Sequence, residues 1–225
     1  WTEPPFFQQW AEEHRAVRNA CGLIDMSFMT KLVVAGRDAG AVLQRLSTSN
    51  IDTGTMTYTQ WLHKTTGCVE ADVTGCKLPR GTPWAPPSSF LVVATDTIHR
   101  RVQAMVRREV RDGEVCFAFD MTGALTKIDV QGPSSKDVLP SLDDLPFRGV
   151  ASVNIGKCAS VLAARLTYVG ERGYELFVPC EHAMDVHDAI VERGKPHGLR
   201  HVGLKAVNSL RLEKGYRDFG HDIDN

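Results

Sequence analysis

Two runs decide the fold: Ala159-Ser-Val-Leu-Ala-Ala-Arg-Leu-Thr-Tyr168 and Gly173-Tyr-Glu-Leu-Phe-Val178, separated by Val169-Gly-Glu-Arg172. Both are rich in apolar and aromatic residues, and the segment between them holds a glycine and two charges, so they read as the arms of a hairpin. A hairpin joins antiparallel strands, whereas a doubly wound sheet returns each strand through a helix. Outward from it, strands and helices interleave without strict alternation and without a repeat of fixed period. The expected fold class is therefore α+β.

Towards the N-terminus, Phe7, Trp10, His14, Val17 and Cys21 fall on one stripe of a helix that Gly22 ends. Residues 31–36 read as a strand, with a short helix from about Asp38 carrying Val42, Leu43 and Leu46. Residues 56–63 and 68–76 form a strand pair turned at Thr65-Thr-Gly67, and the proline-rich stretch 79–87 is a loop. Residues 90–94 are a short buried strand. The helix that follows, from about Asp96 to Val110, carries Arg100, Arg101, Arg107 and Arg108, a run read as a solvated face rather than an anion site. Strands are expected over 115–119 and 126–130, then helices after Gln131-Gly-Pro133, over about 181–193 and over 205–213.

A chain of 225 residues with 43% hydrophobic and 24% charged residues has an ordinary globular composition. It is long enough to bury roughly 70% of the surface its unfolded form exposes, so no disulfide or metal is required to hold it. Lys+Arg 26 against Asp+Glu 27 argues against a general nucleic-acid or anionic-membrane surface. Cys21, Cys68, Cys76, Cys116, Cys158 and Cys180 form no CxxC pair or ligand-spaced cluster, which fits a reducing compartment and no metal. No apolar run approaches the roughly 20 residues of a membrane helix. A start at Trp1 and an end in Gly-His-Asp-Ile-Asp-Asn read as a segment of something longer. Dinucleotide, phosphate-loop, HExxH and Gly-x-Ser-x-Gly motifs are all absent from the sequence.

Two carboxylates carry more information. In Cys68-Val-Glu-Ala-Asp-Val-Thr74, alternation sends Val69, Ala71 and Val73 to one face and Glu70, Asp72 and Thr74 to the other, a solvent-face pattern. In Gly173-Tyr-Glu-Leu-Phe-Val178, Glu175 shares its face with Phe177. An acid between large apolar neighbours must be solvated, paired, or bound to a ligand with matching donors.

Glu13-His-Arg-Ala-Val-Arg18, Gly22-Leu-Ile-Asp-Met-Ser27, Val34-Ala-Gly-Arg-Asp-Ala39, Tyr58-Thr-Gln60, Gly67-Cys-Val-Glu-Ala-Asp72, Gln131-Gly-Pro133, Tyr168-Val-Gly-Glu-Arg-Gly-Tyr-Glu175, Leu210-Arg-Leu-Glu-Lys-Gly215 and Gly220-His-Asp-Ile-Asp224 follow one another along the chain. In that order the pieces resemble the folate-binding aminomethyltransferase family, founded on the glycine-cleavage T-protein. Ile24-Asp-Met-Ser27, Glu70-Ala-Asp72 and Glu213-Lys-Gly-Tyr-Arg217 are more similar to the C-terminal folate domain of sarcosine and dimethylglycine dehydrogenases.

The resemblance implies two packed α/β subdomains, with 49–122 inserted between 1–48 and 123–225 and the family's C-terminal barrel missing. It implies tetrahydrofolate as acceptor of a one-carbon unit from an N-methyl amine, giving 5,10-methylene-tetrahydrofolate, with FAD on a domain or chain outside this one. Asp72 matches the catalytic aspartate and Glu175 the pterin carboxylate. Tyr168 corresponds to the tyrosine beside the ring; Thr95, where T-proteins have an asparagine, and Val73 are taken as folate neighbours. Neither nucleic acid nor membrane is an implied partner, and the compartment would be the mitochondrial matrix or the bacterial cytoplasm. Departures accompany the match: Ala71-Asp72 retains one of two adjacent acids, and Val207 replaces an arginine, with Lys205 nearby. Tyr58 and Arg211 read as structural. The contrasting readings are a non-catalytic regulatory module, as in the regulatory subunit of pyruvate dehydrogenase phosphatase, and an O- or S-demethylase.

Overall fold

The computed structural model describes residues 3–223; Trp1 and Asp224, the latter closing the last matching segment, lie outside them. In chain order the N-terminal elements are α1 (Phe7–Asn19), β1 (Cys21–Asp25), β2 (Thr30–Ala35) and α2 (Ala39–Leu46). Then come β3 (Thr57–Leu62), β4 (Val69–Lys77), β5 (Phe90–Ala94), α3 (His99–Glu109) and β6 (Phe117–Asp120). The rest comprises β7 (Leu125–Gln131), α4 (Ser135–Val138), β8 (Val150–Ile155), β9 (Cys158–Ala164), β10 (Gly173–Pro179), α5 (Ala183–Gly194), β11 (Leu199–His201) and α6 (Leu204–Glu213). The chain divides into two compact units. One takes in the described residues up to 27 together with 126–147 and 153–217; the other takes in 28–125, 148–152 and the described residues from 218 onwards.

The first unit is built on a sheet of order β11-β1-β7-β10-β9-β8. Its β9–β10 hairpin is antiparallel as expected, with Glu175 opposite Ala164 and Phe177 opposite Leu162. The first arm ends at Ala164, short of Tyr168. Leu166 N–H turns back to the Ala164 carbonyl at 3.1 Å, and the Thr167 hydroxyl accepts from Val169 and Gly170 N–H at 3.2 and 2.9 Å. This local side-chain cap satisfies the donors of the turn that follows. Residues 173–178 are buried on both faces, and the Tyr174 hydroxyl on the far face donates to the Leu142 carbonyl at 3.1 Å.

Helix α1 ends two residues before Cys21, which instead opens β1, and along the helix Val17 is the one buried residue. Gly22 marks how closely the two elements approach, because a Cβ there would sit 2.6 Å from Val17 and 2.9 Å from Val202. A glycine in the strand therefore lets α1 lie on the sheet.

The second unit has a sheet of order β3-β4-β5-β2-β6, antiparallel at every described pairing. Helices α2 and α3 contribute Leu43, Val102 and Val106 to a core that includes Leu32, Trp61, Val73 and Val92. The arginines of α3 lie on its exposed side, as the charge run suggested. Strand β6 starts at Phe117, later than expected, because Val115 is occupied elsewhere. Its N–H donates to Asp38 Oδ2 at 2.8 Å and its carbonyl accepts from Asp38 N–H at 3.0 Å, tying it to the start of α2. The mixture of helices with two sheets, neither closed into a barrel among the described residues, is the expected α+β class. All six cysteines are free. Among the described residues no helix is long and apolar enough to cross a membrane.

Candidate functional site

In the first unit, period-two alternation on β7 puts Lys127, Asp129 and Gln131 on one face of the sheet. The adjoining strand β10 places Glu175 against them. All four are buried. Lys127 Nζ lies 2.7 and 2.8 Å from the two Asp129 oxygens and 3.2 Å from Glu175 Oε1. Burial alone would lower the lysine's pKa, but the charges of Asp129 and Glu175 outweigh it and raise it. Asp129 is pushed up to about 7, first by burial and further by the charges of Glu175 and Asp25, with Lys127 pulling the other way. Gly173 begins this face of β10, and a Cβ there would meet Gln131 Oε1 at 2.0 Å, so the glutamine side chain occupies the space a larger residue would need. Gln131 Nε2 donates to the Leu166 carbonyl at 3.2 Å, and its Oε1 is buried with no hydrogen-bond partner among the described residues.

Tyr168 stands half-buried in the β9–β10 connection. Its ring stacks on Tyr216 with centroids 6.2 Å apart and planes 15° from parallel, and its hydroxyl reaches the Arg217 carbonyl at 3.5 Å. Arg211 is structural, as expected: its Nε donates to Asn208 Oδ1 at 2.7 Å and its Nη1 to the Tyr216 carbonyl at 3.0 Å, fixing the turn that carries Tyr216. A carboxylate and a stacked aromatic are each of the kind that can meet a flat heterocycle, the first at an edge of N–H donors and the second at a ring face.

Asp72, Val73 and Thr95 belong to the second unit. Asp72 lies on β4 opposite Gln60, half-buried on the face that alternation predicts. Its pKa is raised, chiefly by burial and then by the negative charge of Asp218, while its own backbone N–H and the Tyr58 hydroxyl pull it down. Asp218 is itself ion-paired to His221 Nδ1 at 2.9 Å. Tyr58 departs from the packing role read in sequence, for it is 53% exposed and stands beside Asp72. A half-buried carboxyl with a raised pKa is suited to taking up a proton. Val73 points to the opposite face, into the core, so a role for it falls to its main chain. Thr95 follows β5, where its hydroxyl meets Asp96 Oδ1 at 3.2 Å and its carbonyl accepts from Thr30 Oγ1 at 3.2 Å.

Sequence reasoning missed Lys127, Asp129, Tyr216 and Asp218. For the first two a signal was present, since opposite charges two residues apart inside an apolar strand share a face and can pair. For Asp218, which reaches Asp72 from the far end of the chain, there was no local one.

Residues 1–225 match the GCVT N-terminal domain family. The chain is 36% identical to 4-methylaminobutanoate oxidase (formaldehyde-forming) of Paenarthrobacter nicotinovorans, over 98% of this chain and 27% of that protein. It is 34% identical to an aminomethyltransferase of Chloroherpeton thalassium, over 94% of this chain and 58% of that protein. The chain thus spans about a quarter to somewhat over half the length of these relatives. Its fold is similar to that of glycine cleavage system aminomethyltransferase T from Bartonella henselae, with a TM-score of 0.81 at 23% identity over 96% of this chain and 56% of that one. It also resembles a chain of the heterotetrameric sarcosine oxidase from Corynebacterium sp. U-96, with a TM-score of 0.59 at 13% identity over 89% of this chain and 98% of that one. By the match along its whole length, this chain belongs to the GCVT N-terminal domain family.

Proposed function

We propose that the chain is the tetrahydrofolate-binding, one-carbon transfer domain of a larger protein that oxidises an N-methyl amine on a flavin held elsewhere. The observation that carries the reading is Glu175, a carboxylate 9% exposed between Tyr174 and Leu176 on a strand buried along both faces. Lys127 meets one Glu175 oxygen at 3.2 Å, and a ligand edge with parallel N–H donors is the partner that the remaining lone pairs of a buried carboxylate meet best. Relatives named for aminomethyl transfer and for a formaldehyde-forming oxidation of a methylamino compound support the same chemistry.

Glu175 binds and orients the pterin edge, and Tyr168, on its Tyr216 support, covers a ring face. Tetrahydrofolate supplies N5 and N10 as nucleophiles; bridging them with one carbon from a methylene iminium releases the amine and one proton. Asp72 accepts that proton and stabilises the positive charge that develops at nitrogen. Thr95 and the main chain at Val73 contribute binding contacts.

The test combines anaerobic calorimetric titration with tetrahydrofolate and measurement of 5,10-methylene-tetrahydrofolate formation from formaldehyde above the uncatalysed rate. Binding with acceleration supports the reading. Binding without acceleration assigns a folate-binding module instead, and a folded chain that does not bind refutes the proposal.

A further inference from the structure

The Lys127 ammonium has three donors, and two carboxylates take them: 2.7 and 2.8 Å to Asp129 and 3.2 Å to Glu175. With the Lys127 side chain 1% exposed, bulk solvent has no access to them. One carboxylate would neutralise the lysine. A second adds acceptors beyond what the buried cation can satisfy, which is costly unless another donor arrives. The two acids are not equivalent. Asp129 holds the ammonium with both oxygens, whereas Glu175 meets it with one and has no other ion-pair partner among the described residues.

We infer that Lys127 is a positioning residue for the ligand met by Glu175: anchored on Asp129, it holds one Glu175 oxygen and turns the other towards an N–H donor of a flat, uncharged or cationic heterocycle. The inference rests on the folate reading above and adds to it a device for orientation and selectivity. Asp129 fixes the end of a flexible four-carbon stem, so the ammonium is pre-organised before ligand arrives. With Asp129 and Glu175 both ionised, an anionic group approaching Glu175 would meet surplus negative charge and be turned away, whereas an uncharged pterin edge adds the missing donors.

The test is a double-mutant cycle read as tetrahydrofolate affinity, using the full chain, K127M, E175Q and K127M/E175Q. K127M is expected to bind about tenfold more weakly than the unmodified chain, the loss of one charge-assisted positioning contact. In the E175Q background the same change should alter affinity by less than about twofold, since the carboxylate that Lys127 positions is gone. A lysine that merely supports the fold would weaken binding equally in both backgrounds. That result, or no loss at all from K127M, overturns the role of Lys127 and leaves the folate reading standing. Failure of the unmodified chain to bind, or unimpaired binding by E175Q, overturns the folate reading and the inference with it. If K127M does not melt cooperatively, K127M/D129N, which removes the buried ion pair together, replaces it in the cycle with the same expected outcomes.

Discussion

The two acids singled out from sequence sit in opposite electrostatic settings. Glu175 is buried and ion-paired to Lys127; Asp72 is half-buried, and the like charge of Asp218 adds to burial in raising its pKa. A carboxylate held by a cation is a fixed acceptor, good for recognising a donor edge. A carboxyl whose pKa is raised by burial and a neighbouring anion is ready to take a proton. Under the proposed function, recognition falls to Glu175 and proton handling to Asp72.

The sharpest way to break that assignment is D72N. It should slow formation of 5,10-methylene-tetrahydrofolate by about a hundredfold or more, the usual worth of a positioned base, while tetrahydrofolate affinity in the same preparation changes little. Parallel losses of rate and affinity would erase the distinction between the acids. On the recognition side, Tyr168→Ala should weaken binding about three- to tenfold, matching the ~0.5–1.5 kcal/mol of an aromatic stack, with the rate at saturating folate unchanged.

The pairing in the first unit also has a signature in stability. Burial pushes the folded Asp129 carboxyl up to about 7, while the unfolded carboxyl releases its proton near 3.8. Over that window the folded state binds more protons, so this residue makes stability fall as pH rises from about 4 to about 7. D129N should flatten the slope in denaturant melts at pH 5 and pH 7; an unchanged slope would show that Asp129 does not titrate there. The smallest expected effect belongs to the second unit. D218N removes the anion beside Asp72, lowers its pKa, and moves the acidic limb of the rate profile to lower pH by less than about one unit. A shift in the other direction would contradict the like-charge account.

The hairpin that places Glu175 was legible because period-two alternation survives burial: Tyr174, Leu176 and Val178 fill one face whatever covers the other. The end of its first arm was not, because Leu166 N–H turns back to the Ala164 carbonyl, a local bond that no periodicity encodes. Alternation likewise placed Asp72 away from the core, and the folded strand agrees. What pattern could not supply was context on the polar face. Lys127 and Asp129 read as ordinary charges of a half-exposed strand until both faces of β7 are seen to be covered. Asp218 influences Asp72 through its charge although the two are far apart in sequence, which no local periodicity encodes. Cys21 was read on the stripe of α1 because its spacing fits a helix; the close approach allowed by Gly22 puts it in a strand instead.

The most direct test of the central claim is a side-by-side anaerobic titration of the unmodified chain and E175Q with tetrahydrofolate. The account predicts one molecule bound per chain and an affinity about a hundredfold lower for E175Q, from the loss of charge-assisted hydrogen bonds to the ligand. Equal affinities in two equally stable proteins would contradict it.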